Sequence, residues 1–391
     1  MKRLALATTA LVLTLSACSG GQMIRVVASD DPVETAKRLL EQRKNAYRQN
    51  PLLAVQDART VRRNFQRLIE ALRGNVRERW GRDETVVPSR RQYVKYTQNY
   101  MSRAIVDFDR GRVTVETLDS ENTERSLRSA IVTTLLTPED PRAVDLYSDR
   151  TIRLSGEPYL SGVVLDHRQR PIASPGQAEA YARYLQRNSA HQRAVQAPSG
   201  PKTVSYVNIP MVADHVQRRA RRYKPMVERY ARAHGVSRNL VFAVMKTESN
   251  FNPFAVSSAP AYGLMQLVPA SGGRDAYRAV KGHDGVPSRD YLFDPQNNIE
   301  LGTAYLGLIN RRYLGKIRNP VSREYCTIAA YNAGSGSVLR TFSPDRDRAV
   351  EVINDMKPFE VYRALRTRLQ SREGQRYLHK VIQARKEFVR I

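Results

Sequence analysis

The sequence is poor in cysteine, with two in 391 residues, which excludes a disulfide scaffold. Those two and six histidines make no metal-spaced set, so the sequence implies no metal and no cofactor. Acidic residues are scarce. Against 64 Lys and Arg stand 38 Asp and Glu, a formal charge of +26. Such an excess implies an anionic partner, whether nucleic acid, an anionic membrane surface or an acidic polymer. Long apolar runs are missing beyond the N-terminus, and a mean hydropathy of −0.52 excludes a multi-spanning membrane protein. What is present is a 41% hydrophobic and 8% aromatic chain, which excludes wholesale disorder. Its length suggests about two or three ordinary domains.

The first residues bear on compartment. Lys2 and Arg3 precede an apolar run from Leu4 to Leu15, too short to span a bilayer comfortably and suited to the core of a secretory signal. The run ends in Leu15-Ser16-Ala17-Cys18, which resembles a bacterial lipobox. The resemblance implies a signal peptide over residues 1–17, removal at Cys18 and lipidation of its sulfur, with a lipidated tether over 18–32. Ser19, rather than Asp, implies sorting to the outer membrane, on its periplasmic face. An exported chain does not meet chromosomal DNA, so no nucleic-acid partner is expected. Cys326 is left as a single thiol on an apolar helix, where it packs as a small hydrophobe.

Residues 33–212 read as an α+β accessory domain. Helices are expected over Val33–Gln49, Leu53–Arg82 and Gln177–Arg187. Strands are expected at Ala104–Phe108 and Val113–Leu118 around an Asp109-Arg110-Gly111-Arg112 turn, and at Val163–Leu165 and Val204–Ile209. Tyr93, Tyr96 and Tyr100 follow a helical spacing with strand-favouring side chains, and leave that stretch unassigned. Ile131–Leu136 fits a strand or a short helix. Pro198-Ser199-Gly200-Pro201 reads as a loop, an inserted one by its composition. The accessory domain carries no catalytic motif. Residues 213–391 read as all-α. Helices are expected over Val216–Ala233, divided near Pro225, over Asn239–Ser249 with Ser237 as cap, and over Pro295–Asn310, Ser322–Asn332 and Ser371–Arg390.

Leu240 to Met245 is apolar on every side, so this helix should be buried. Glu248 continues its apolar face and the helix must stop before Pro253. A carboxyl there is poorly solvated, which favours its neutral form and raises its pKa, as a general acid at neutral pH requires. The bland alternative is pairing with a cation such as Lys246 or Arg274.

Four blocks then follow one another: Glu248-Ser249-Asn250-Phe251-Asn252-Pro253; Ala261 to Pro269, containing Gly263-Leu264-Met265-Gln266; Asn298 to Leu306; and Ala329-Ala330-Tyr331-Asn332-Ala333-Gly334. In this order they resemble the soluble lytic transglycosylase domain, a goose-lysozyme-like fold, over about residues 214–391. With the lipobox and the first domain, the architecture is similar to membrane-bound members of that family. The resemblance implies that Glu248 is the catalytic acid. It implies that Gly263, Met265 and Gln266 belong to the segment lining the sugar cleft, and that Ser257 lies near the acid. Tyr331 and Asn332 would contact the scissile sugar. Glu373, four residues before Tyr377, would belong to a further block, although Gly374 and Gln375 depart from the family's Glu-Thr-Arg-x-Tyr.

The implied reaction is cleavage of the β-1,4 bond between N-acetylmuramic acid and N-acetylglucosamine in peptidoglycan strands. Glu248 would serve as acid and then base, and the product would be a 1,6-anhydromuramyl end, in cell-wall turnover. Most glycoside hydrolases use two carboxylates. No other Asp or Glu lies between Glu248 and Gln266, though distant acids such as Asp294 and Glu300 stay open as a second one. Hydrolysis, a non-catalytic murein-binding role and nucleic-acid binding are the competing readings. The accessory domain could orient the cleft at the membrane, bind murein or contact other wall enzymes.

Overall fold

The computed structural model describes residues 51–389 and 391. The signal peptide, Cys18, the tether and the Val33–Gln49 helix lie outside the described residues. A 30-residue helix, α1 (Pro51–Trp80), opens the described chain. It leads to a five-stranded antiparallel sheet formed by β1 (Gln92–Thr97), β2 (Ser102–Asp107), β3 (Arg112–Thr117), β4 (Ala190–Ala197) and β5 (Gly200–Pro210), in the order β1-β2-β3-β5-β4. The turn between β2 and β3 carries Gly111 at φ 61°, as the sequence predicts. Two helices, α2 (Thr123–Leu135) and α3 (Pro175–Asn188), are layered on this sheet, α2 against β2 and β3 and α3 against α2. Ser174 and Gln177 close a reciprocal capping box at the start of α3.

Several expectations are corrected here. Of the two alternatives for Ile131–Leu136 the helix holds, since the stretch falls in and at the end of α2. Val163–Leu165 forms only isolated bridges, from Val164 to Ser161 and from Leu165 to Pro171. The Pro198–Pro201 stretch is no inserted loop but the turn joining β4 to β5, paired from Ala197↔Gly200 outward. β4 escapes the sequence because it is an edge strand with one buried side chain, Val195, so no alternation is written into it. The tyrosine-rich stretch is β1, which is buried on both faces. Tyr93 points to Tyr159 and Phe254, while Tyr96 points to Trp80 and Tyr100. A strand covered on both sides has no reason to alternate. Gln98, Asn99 and Tyr100 then turn the chain in left-handed conformation.

Residues from 215 onward are helical. α4 (His215–Arg222) and α5 (Lys224–His234) divide at Tyr223, and Gly235 ends α5 at φ 59°. α6 (Arg238–Ser249) has all of Leu240–Met245 buried. Ser237 occupies its N-cap position, but its Oγ accepts from Arg385 Nη2 at 3.5 Å instead of capping the helix. Next come α7 (Arg274–Lys281), α8 (Arg289–Phe293) and α9 (Pro295–Leu308), the last capped by Asp294. α10 (Pro320–Ala333), α11 (Ser335–Arg340), α12 (Arg346–Asp355), α13 (Pro358–Thr367) and α14 (Arg372–Lys386) complete the chain. α14 packs across α6, α10 and α13. Cys326 is fully buried on α10, and burial pushes its thiol up to about 12.

The apolar interior does not divide where the secondary structure does. One core lies wholly among the helices and contains α6. The other begins under the sheet and continues into Phe254, Val256, Tyr262, Leu267 and Leu301. Phe254 sits between Tyr93 at 4.8 Å and Tyr159 at 5.0 Å, edge-on to both. A buried ionic cluster stiffens the sheet from the other end. Arg103, 2% exposed, lies 3.8 Å over the Trp80 ring and reaches Glu116 Oε2 at 2.5 Å and Glu84 Oε2 at 2.7 Å. Arg193 bonds the same two carboxylates, and its hydrogen bond with Glu84 leads in holding that carboxyl down at about 2.

Candidate active site

Glu248 lies one residue before the end of α6 and is 5% exposed. The helix stops because Asn250 (φ 49°) and Phe251 (φ 58°) are both left-handed, ahead of Pro253. Such a conformation is costly for non-glycine residues and needs outside support. The support comes from the sheet-bearing region. Asn250 Nδ2 donates to the Phe108 carbonyl at 2.7 Å and to Asp109 Oδ1 at 3.0 Å, and its own carbonyl accepts from the buried Arg219. Asn252 Nδ2 donates to the Arg90 carbonyl at 3.2 Å. Arg91 Nη2 donates to the carbonyl of Thr247 at 2.6 Å. The carboxyl itself meets Arg90 Nη1 at 3.6 Å.

Burial pushes the Glu248 carboxyl up to about 7. The Tyr377 hydroxyl and the Arg90 guanidinium pull in the opposite direction, and the Glu373 carboxylate adds to the rise. The Tyr377 hydroxyl faces the carboxyl without meeting hydrogen-bond geometry. Neither cation named as the bland partner is the one used. Lys246 pairs with Glu387 and Arg274 with Asp284. Of the distant acids, Asp294 caps α9 and pairs with Arg142 at 3.0 Å, and Glu300 pairs with Lys281 at 3.3 Å. The carboxylate that does stand beside Glu248 is Glu373, in the first turn of α14, with its Oε1 3.5 Å from Arg90 Nη2.

The loop from Ala261 to Leu267 forms the adjoining wall. Gly263 (φ 74°) has no room for a side chain, since a Cβ would lie 2.5 Å from Asn298 Nδ2 and 2.6 Å from the Leu292 carbonyl. Gln266, left-handed at φ 48°, folds back so that its Nε2 donates to the Ala255 and Gly263 carbonyls. Its Oε1 is buried and accepts no hydrogen bond. Met265, in the segment that the resemblance places along the sugar cleft, turns its side chain inward, fully buried against Gly302. Its backbone does the connecting: the Tyr331 hydroxyl donates to its carbonyl at 2.8 Å, and its N–H donates to Asn298 Oδ1 at 2.8 Å. Tyr331 also feels the Glu248 charge, which raises its already buried hydroxyl further. Asn332 follows it, half-buried, at the end of α10. Ser257 accepts from the Ala261 N–H at 3.3 Å, holding the turn that leads into this wall.

Glu248, Glu373, Tyr377 and Tyr331 are thus gathered about one carboxyl, with Met265 and Gln266 joined to them through the backbone. Three participants were not foreseen. Asn298, fully buried, ties three backbone groups, and its signal in the sequence was its place at the head of the Asn298–Leu306 block, to which no site role was given. Nothing in the sequence singled out Arg90 and Arg91 among its many basic residues.

Known families match the sequence region by region. A family model described as "Membrane-bound lytic murein transglycosylase C, N-terminal domain" matches residues 58–222, and one described as "Transglycosylase SLT domain" matches residues 225–354. Membrane-bound lytic murein transglycosylase C of Cronobacter sakazakii is 45% identical over 327 residues, covering 83% of this chain and 89% of that protein. The chain belongs to the membrane-bound lytic murein transglycosylase C family. The family member from Pectobacterium atrosepticum is likewise 45% identical, over 83% of this chain and 90% of that protein. Among solved structures, a lytic transglycosylase Slt from Pseudomonas aeruginosa is 27% identical with a TM-score of 0.30, covering 42% of this chain and 23% of that one. Family membership makes the chain an enzyme of the lytic transglycosylase class, with an α+β region followed by a helical, lysozyme-like one. Among the described residues no helix is long and apolar enough to cross a membrane.

Proposed function

We propose that the chain cleaves the β-1,4 bond between N-acetylmuramic acid and N-acetylglucosamine in murein and leaves a 1,6-anhydromuramyl end, with Glu248 as acid and then base. The observation that carries this reading is the carboxyl of Glu248, buried at a helix end and raised to about 7. At neutral pH such a group is divided between its two forms, so it can give a proton and take one back in a single cycle. Protonated Glu248 hands its proton to the glycosidic oxygen as the C1–O4 bond breaks. The ionised carboxylate then accepts the proton of the muramyl C6 hydroxyl as that oxygen bonds to C1. Atoms balance without water, and the carboxyl ends protonated, ready for the next cycle. An attack within one sugar has an effective concentration of about 10⁵ M or more when well oriented, which favours it over water. No metal or cofactor enters this scheme.

The unpaired Oε1 of Gln266 supports a polar contact to sugar from that side chain, and the Tyr331–Asn332 corner supports another. In this reading residues 213–391 are the catalytic domain and 33–212 the accessory one, held at the outer membrane's periplasmic face by lipid on Cys18. The +26 charge suits anionic murein and head groups. Hydrolysis is the second reading, favoured by one observation: Glu373 lies close enough to raise the Glu248 carboxyl and could serve as a second carboxylate. Digestion of purified murein by the full-length protein in detergent separates the two. Soluble muropeptides one water lighter than reducing ones, lost with Glu248→Gln, are the expected result. Reducing ends would establish hydrolysis instead, and persistence of product with Glu248→Gln would remove the residue from its role.

A further inference from the structure

We propose that Arg90, contributed by the sheet-bearing region, is a positioning residue of the active site: one guanidinium holds Glu248 and Glu373 together and sets the proton affinity of the acid. This rests on the reading of Glu248 as acid, but adds to it a residue from outside the helical region.

The geometry is specific. Nη1 of Arg90 lies 3.6 Å from Glu248 Oε2 and Nη2 lies 3.5 Å from Glu373 Oε1, so the two prongs of one planar cation face two different carboxylates. The backbone around it is fixed. Ser89 N–H donates to the Gln92 carbonyl at 3.0 Å, Asn252 holds the Arg90 carbonyl, and Phe108 N–H holds the Arg91 carbonyl at 3.0 Å. Arg91 is anchored on Asp109 at 2.7 Å and on the Thr247 carbonyl. Adjacent arginines therefore divide the work, Arg91 gripping the backbone before Glu248 and Arg90 facing its carboxyl.

Among the described residues, the groups that shift the Glu248 carboxyl divide by sign. From the segment before β1, Arg90 and Arg91 favour the carboxylate. From α14, Tyr377 favours it and Glu373 opposes it, and from α10 Tyr331 presents a buried hydroxyl. Arg90 is the member that touches both carboxylates. As the proton leaves Glu248, negative charge spreads over both carboxylate oxygens, one of them 3.6 Å from Arg90, so the cation acts more strongly on the later state than on the starting one. Its side chain is 42% exposed, which screens the effect to a moderate size.

The test is a titration of the Glu248 carboxyl in the full-length protein by ¹³C NMR, assigned by difference against Glu248→Gln, beside a pH profile of kcat/KM on murein. Arg90→Gln should raise the midpoint and move the alkaline limb to higher pH by about one unit. Arg90→Lys should restore most of the wild-type position. Glu373→Gln should move the midpoint the opposite way, because it removes a like charge and frees Arg90 for Glu248. A folded Arg90→Gln protein with the wild-type midpoint overturns the proposal. If Arg90→Gln does not fold, Glu373→Gln decides alone, and an unmoved midpoint there overturns it. The titration needs no turnover. Shifted midpoints in a protein that releases no anhydro product would sink the proposed reaction and leave this inference standing.

Discussion

The two regions solve opposite electrostatic problems with the same side chain type. In the sheet-bearing region Glu84 is surrounded by Arg103 and Arg193 and held at about 2. In the helical region Glu248 is more deeply buried, has one cation at arm's length, and is raised to about 7. Cations close enough for hydrogen bonds offset desolvation in the first case, and their absence lets desolvation win in the second. A carboxylate that is fully paired contributes to stability, whereas one left underpaired is available for chemistry at a cost in stability.

The comparison can be broken most forcefully at Arg103. Arg103→Ala leaves Glu116 buried beside a single cation and should destabilise the protein by about 3–5 kcal/mol, read by denaturant unfolding. Because one core spans both regions, loss of activity on heating should track that transition; activity surviving it would show the helical region to be independent. The opposite sign is expected at Glu248. Its folded-state carboxyl is raised above the unfolded value, so wild-type stability is fullest below about pH 4.5 and falls as pH rises through about 7. Glu248→Gln should therefore gain about 2–3 kcal/mol at pH 9 and nothing at pH 4, while abolishing turnover. Equal stability of the two proteins at pH 9 would mean that the carboxyl is not strained by burial.

A smaller effect tests the contact between the regions. Asn250→Ala removes the bonds to Phe108 and Asp109 and leaves a left-handed alanine, for about 2 kcal/mol in unfolding and a drop in kcat larger than that in 1/KM. Unchanged kcat would show that the stop after α6 does not depend on the sheet. The mildest variant is Tyr331→Phe, which loses one hydrogen bond to the Met265 carbonyl. It should cost about 1 kcal/mol, with little change in the Glu248 titration.

The helical region was largely legible in sequence because its chemistry is local. The apolar run of α6, the stop before Pro253 and the Gly263–Gln266 turn are each written in contiguous residues. In the sheet-bearing region the helices at Pro51–Trp80 and Pro175–Asn188 were legible, and strands were legible where burial alternates. β2 and β3 alternate towards their glycine turn, where Ile105, Asp107, Arg112 and Thr114 are more exposed than Val106, Val113 and Val115, whereas β1, covered on both sides, and β4, at the edge, do not. Within the site, Glu248 could be found from its place at the end of an apolar run together with the four blocks that begin with it. Arg90 could not, since two arginines in a chain with 64 cationic residues carry no mark of direction. The inward turn of Met265 was likewise hidden, because it depends on Gly302 on another helix.

Phe254, lodged between Tyr93 and Tyr159, gives order of assembly a meaning. It belongs to the loop just after the acid, yet it completes the interior of a sheet made from residues that emerge far earlier during synthesis. The last long helix, α14, brings Glu373 and Tyr377 from the far end of the chain. The Glu248 carboxyl therefore gains its surroundings only when Arg90, early in the chain, and α14, near its end, have both arrived. On the proposed role of Glu248, a chain lacking either end would carry this carboxyl without Arg90, Glu373 or Tyr377 beside it, and its completion would double as an interlock on cutting murein.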